Sequence, residues 1–193
     1  MQETPPGWVK AVWLAVAVVA MVGATVQGGQ AGRHEALAAA AAPLGGQQVG
    51  GVPHDFELRT LEGGSVQLSA LEGELVFLNF WATWCPPCLE ELPDMAALAR
   101  QLGGRGFRMV AVSQDEDWQT LRGFFQRAGG VPAGLTVALD PGGRLARLYG
   151  TEKLPETYVI GRRGSVLARF TNAQPWEAPE MVAWFERALA SGL

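Results

Sequence analysis

Apolar residues fall along this chain in three patterns, and each predicts a different element. Ala11–Val26 (AVWLAVAVVAMVGATV) is apolar almost throughout, and no charge occurs between Ala11 and Gly32. Counted from Trp8, with the Lys10 stem reaching outward, that run is long enough to cross about 30 Å of hydrocarbon. Leu75–Trp81 (LVFLNFW) and Phe107–Ser113 (FRMVAVS) are short continuous runs, as expected of strands buried on both faces of a sheet, and Leu135–Leu139 is a shorter one. The third pattern is helical. Leu89, Leu92, Ala96, Ala99 and Leu102 recur at helical spacing until Gly103-Gly104, with Pro93 inside the pattern as a predicted kink. Trp118, Leu121, Phe124 and Phe125 mark a second helix stopped by Gly129-Gly130, and Leu145–Tyr149 a short third one. Met181, Val182, Trp184, Phe185 and Leu189 form an amphipathic C-terminal helix from Pro179.

Two hairpins complete the pattern. Phe56–Leu58 and Val66–Leu68 alternate about the Glu62-Gly63-Gly64 turn, and Tyr158–Ile160 and Val166–Phe170 flank Gly161–Gly164. Strand, helix, strand, helix, then hairpin and helix describe an α/β sheet with helices on both faces. Three segments follow: 1–27 as a membrane anchor or signal segment, 28–51 as a flexible linker, and 52–193 as the folded domain. The linker reading rests on an Ala-, Gly- and Gln-rich composition with the run Ala38–Ala42, which offers little to a core but can be partly helical through the alanines. Lys10 before the apolar run, with no further positive charge until Arg33, places the N-terminus in the cytoplasm and the domain outside. A cleaved signal with Val22-Gly23-Ala24 near its end is the rival, and it too exports the domain.

Charge narrows the partners. The net charge is −4, and residues 1–50 are neutral, so the whole excess lies on the domain; nucleic acid, which wants a basic stripe, is not expected as a partner.

The chemistry concentrates in Trp84-Cys85-Pro86-Pro87-Cys88, which holds both cysteines of the chain where a buried strand gives way to a helix. A helix N-terminus presents unpaired N–H groups and partial positive charge, which favour a thiolate on Cys85. The spacing puts Cys88 on the same helical face, in reach of a mixed disulfide on Cys85. Pro86 and Pro87 cost little in a first turn but withhold two donors, leaving chiefly the Cys88 N–H for the Cys85 sulfur. The thiolate should therefore be only modestly stabilised, which favours a reductant over an oxidant. No resident metal or cofactor is expected: there is no second CxxC, and His34 and His54 are the only histidines. Copper(I) held by the two thiolates is an alternative use of the same pair.

Leu78–Cys88 (LNFWATWCPPC), followed by Glu90-Glu91-Leu92-Pro93, closely resembles the thioredoxin-like, membrane-tethered thiol–disulfide oxidoreductases of the TlpA/ResA/CcmG type. Leu154–Ile160 (LPETYVI) looks like that family's cis-proline strand, and the likeness covers about residues 51–189. The resemblance implies a thioredoxin fold with an N-terminal β-hairpin extension and a central insertion, on the periplasmic or outer face of the cytoplasmic membrane. It implies that Cys85 attacks a client disulfide, Cys88 resolves the mixed disulfide, Glu91 manages protons, and Pro155 shapes a groove with Leu154, Trp84, Pro86 and Pro87. Clients would be disulfide-bearing proteins, apocytochrome c with its haem-site cysteines among them, and a membrane thiol donor would recharge the pair. A thiol peroxidase is a weaker enzyme reading, because no Thr and Arg stand beside a lone cysteine in the sequence.

Among neighbouring residues, Asn79 stands where cytoplasmic thioredoxins carry a buried aspartate and is expected as a hydrogen-bonded interior amide. Glu90 is expected in solvent, and Glu156 either in the groove or on the surface. Asp115-Glu116-Asp117 reads as a solvated, helix-capping loop, not a calcium site.

Overall fold

The computed structural model describes residues 7–49 and 51–193. The first six residues of the expected anchor and Gly50 of the expected linker lie outside them. The chain divides into two compact units, Met1–Ala36 and Leu37–Leu193.

The first unit holds most of a long helix, α1 (Gly7–Ala41). Val12, Leu14, Val16, Val18, Val19 and Met21 are exposed along it. Among the described residues no helix is long and apolar enough to cross a membrane.

The second unit is built on a six-stranded sheet of β1 (Gly46–Gln47), β4 (Leu75–Trp81), β5 (Phe107–Ser113), β6 (Leu135–Leu139), β7 (Glu156–Ile160) and β8 (Val166–Thr171), ordered β1-β8-β7-β4-β5-β6. A separate hairpin comprises β2 (Glu57–Arg59) and β3 (Ser65–Gln67). β4 runs parallel to β5 and antiparallel to β7, so its neighbours arrive from both halves of the domain. Every residue of β4 is buried, as a continuous apolar run requires.

The pleat divides β4 between two cores. Leu75, Phe77 and Trp81 face the helices α2 (Pro86–Leu102), α3 (Trp118–Arg127) and α5 (Pro179–Ser191). Val76, Leu78 and Phe80 face the β2–β3 hairpin, through Phe56, Val66 and Leu68, and the short α4 (Arg144–Leu148). Helices thus lie on both faces, although the hairpin covers much of the second. It also shields the β6 edge: Leu61 N donates to Val137 O at 2.8 Å, beside a bridge between Thr60 and Ala138.

Residues 28–49, read as a linker from their composition, carry regular structure instead. α1 continues to Ala41, a short turn covers Ala42–Leu44, and β1 adds an antiparallel edge strand to β8. Leu37, Ala38 and Ala41 are buried, and Trp184 Nε1 donates to Leu37 O at 2.9 Å. Small side chains are what permit this approach. A Cβ on Gly46 would stand 2.7 Å from the Ala41 Cβ and 3.0 Å from the Phe170 ring.

Candidate active site

β4 ends at Trp81, and the chain reaches α2 through a turn in which Cys85 N donates to Ala82 O at 3.2 Å. Cys85 is the N-cap of α2 in extended conformation, followed by Pro86 and Pro87 in the first turn, where their missing N–H groups cost no helical bond. Cys85 and Cys88 are joined in a disulfide, and both are buried, at 4% and 1% exposure. The Cys88 N–H, expected to serve the Cys85 sulfur, donates in this oxidised structure to the Cys85 carbonyl at 3.1 Å, as does Leu89 N at 3.2 Å.

The turn before Cys85 is tied down by Asp115. Thr83 donates to it through its backbone N–H at 3.0 Å and its hydroxyl at 2.7 Å, and Ser113 Oγ donates at 2.6 Å. Asp115 is therefore buried, contrary to the solvated loop expected of the acidic run, whereas Asp117 caps α3 through Thr120 N as expected. The run 115–117 held no sign of this, because the partners come from the ends of two neighbouring strands.

Glu91 sits one turn beyond Cys88 and is 3% exposed, while Glu90 is exposed. Its Oε1 accepts from Asn79 Nδ2 at 3.0 Å, and its Oε2 accepts from Trp176 Nε1 at 2.8 Å and Gln174 N at 3.2 Å. Burial pushes its carboxyl up to about 7; the bonds from Trp176, Gln174 and Asn79 oppose the rise, and the charge of Asp94 adds to it. Asn79 is the interior amide expected, with Nδ2 also donating to Thr157 Oγ1 at 2.9 Å and Oδ1 without a partner among the described residues. Trp176 and Gln174 were not singled out from the sequence; they lie 85 and 83 residues from Glu91.

A groove beside the disulfide is lined by Trp84, Cys85, Pro86, Pro87 and Leu154, together with Gln114, Thr151, Glu152 and Lys153. Trp84 is 64% exposed at its rim. The Leu154–Pro155 bond is cis, as expected. Pro155 is buried and does not line the groove, and neither do Cys88 and Glu91. Glu156 is neither in the groove nor on the surface. It is buried on the hairpin face of the sheet, where Arg169 Nε donates to it.

A CxxC pair at the start of a helix that leaves the central strand of such a sheet, sharing a groove with Leu154, defines a thioredoxin-like dithiol protein. Known proteins agree. The AhpC/TSA family matches residues 49–169, and the chain belongs to that family. It is 33% identical over 133 residues to the thiol–disulfide oxidoreductase ResA of Bacillus thuringiensis, covering 69% of this chain and 75% of that protein. The likeness to ResA of Halalkalibacterium halodurans is 37% over 113 residues, 58% of this chain and 62% of that protein's length. A crystal structure of a putative thiol:disulfide interchange protein DsbE from Chlorobium tepidum superposes with a TM-score of 0.66 at 34% identity, covering 74% of this chain and 98% of that one. With these relatives and its Cys85–Cys88 pair, the chain is a thiol–disulfide oxidoreductase of the ResA/DsbE type.

Proposed function

We propose that this oxidoreductase works outside the cytoplasm as a reductant of disulfides in client proteins, with haem-site cysteines of apocytochrome c as one client class. The observation that carries the reading is the groove: Cys85 lines it beside exposed Trp84, while Cys88 is withdrawn behind. Cys85 then attacks a client sulfur lying in the groove and is left in a mixed disulfide. Cys88, on the same helical face, attacks Cys85, releases the client thiol and closes the intramolecular disulfide. Glu91 takes the Cys88 proton, and Pro155 shapes the groove through its neighbour Leu154. A membrane thiol donor returns two electrons to the pair. The apolar, uncharged stretch from Ala11 supports an anchor that keeps the domain at the outer face of the membrane. Against a peroxidase, the Thr83 hydroxyl is already committed to Asp115.

Expression of a Cys88→Ala variant, which cannot resolve, should trap clients on Cys85 as mixed disulfides that a Cys85→Ala variant does not form. Equilibration with glutathione should place the pair near thioredoxin's ~−270 mV and not near DsbA's ~−120 mV. A strongly oxidising pair would reverse the proposed direction of electron flow. Copper(I) bound tighter than micromolar, without disulfide reduction, would transfer the pair to metal handling.

A further inference from the structure

Behind the disulfide, on the helix face of the sheet, Trp176 does more than fill space. It is fully buried in the segment between β8 and α5, with its ring edge-on to Phe77 at 4.7 Å and Phe170 at 5.3 Å. That packing fixes the direction of its single donor, which meets Glu91 Oε2 at 2.8 Å.

A carboxylate oxygen has two in-plane lone pairs. Those of Oε2 are both taken, by the Trp176 indole and the Gln174 amide. Among the described residues Oε1 accepts from Asn79 alone, which leaves it one pair. Asn79 Nδ2 also donates to Thr157 Oγ1. The groups facing Glu91 from β4 and the 174–176 segment are thus neutral donors, and Thr157 of β7 stands behind Asn79 as an acceptor of its amide. Asp94 on its own helix opposes its ionisation, and Cys88 lies one turn before it. A hydrogen bond to a carboxylate is stronger than one to the neutral acid, so each of these donors favours the charged form.

We propose that Trp176 is a positioning residue for the dithiol chemistry: with the Gln174 amide it keeps Glu91 Oε2 occupied, so that Glu91 holds charge among neutral donors and exchanges its proton through Oε1 alone. The inference rests on the reading of Glu91 as the proton carrier for Cys88 and names what sets that carrier's proton affinity and orientation.

Nuclear magnetic resonance on the full chain tests it. In the wild-type protein the Trp176 indole N–H resonance should titrate between about pH 5 and about pH 9 with the same midpoint as the Glu91 carboxyl carbon. In Glu91→Gln the indole resonance should be flat. In Trp176→Phe, which keeps an aromatic ring and removes the donor, the Glu91 midpoint should rise by about one pH unit or more. Trp184→Phe removes another buried indole donor, one bonded to Leu37 O, and should leave the Glu91 midpoint in place. An unmoved midpoint in Trp176→Phe, or a wild-type indole resonance indifferent to Glu91, overturns the proposal. If Trp176→Phe does not fold, the wild-type and Glu91→Gln titrations decide it alone. Rates of mixed-disulfide resolution across pH separate the role of Trp176 from that of Glu91. A shifted midpoint with an unshifted rate profile leaves Trp176 in its place and removes Glu91 as the proton carrier.

Discussion

The two faces of the central sheet each bury a glutamate at neighbouring cross-strand pairs, and they treat it in opposite ways. At the Phe80–Glu156 pair, Glu156 points to the hairpin face and is matched by the Arg169 guanidinium from β8, which also reaches Gly150 O at 3.3 Å. At the Asn79–Thr157 pair, the helix face receives Glu91 from α2, and its partners are an amide side chain, an indole and a backbone N–H. A buried charge facing an opposite charge is compensated by it and serves structure. A buried carboxyl facing neutral dipoles has competing terms, desolvation against hydrogen bonds, and its proton becomes negotiable near neutral pH. The second arrangement is the one that lies behind the disulfide.

The largest effect should come from breaking the first arrangement. Arg169→Ala leaves the Glu156 carboxylate buried without its cation, which should cost about 3–5 kcal/mol of stability in urea unfolding. The disulfide exchange of the folded fraction should be unchanged. A loss below about 1 kcal/mol would mean that Glu156 is not held by charge pairing and would collapse the contrast.

Next comes the pH dependence that only the second arrangement should show. Glu91 rises from an ordinary 4.5 to about 7 on folding. Below the lower value both states carry the proton. As pH rises through that window the unfolded chain releases it first, so stability falls, by about 3 kcal/mol in all, and then levels off. Unfolding curves of wild type against Glu91→Gln should differ by this slope between the two values, with the variant lacking it. The same variant should resolve a trapped mixed disulfide on the order of 100-fold more slowly near neutral pH and should lower the thiol pKa of the reduced protein. Glu90→Gln should do neither. Stopped-flow resolution and pH-dependent alkylation read both.

The smallest effect concerns Asp115, a third buried carboxylate that also faces neutral donors but spends them on backbone placement. Asp115→Asn replaces one of the two oxygens that accept from Thr83 N, Thr83 Oγ1 and Ser113 Oγ, and should cost about 1–3 kcal/mol. Amide exchange across Ala82–Cys85 should accelerate while the Glu91 titration stays where it is. A shifted Glu91 midpoint in that variant would show the two carboxylates to be coupled and merge their regions into one.

Whatever depends on neighbours along the chain was already settled in the sequence. A seven-residue, almost wholly apolar run is short for a helix and fits a strand buried on both sides, and β4 has the bounds its composition implies. The same holds for β5 and β6, while both hairpins form with strand ends shifted by one or two residues, and a CxxC at a strand-to-helix junction is legible because helix-start chemistry is local. Folding in three dimensions decided which polar groups meet. Asp115 in a run of acids reads as solvated until Thr83 is brought to it from the end of the neighbouring strand, and Glu156 reads as a groove or surface residue until the fold buries it against Arg169. Residues 37–47 read as a linker because alanine and glycine carry no apolar signature. They pack where close backbone approach leaves room for nothing larger. Trp176 and Glu91 share no local pattern at a separation of 85 residues. A hydrogen bond's strength depends on the solvation and direction of both partners, and only the folded chain sets those.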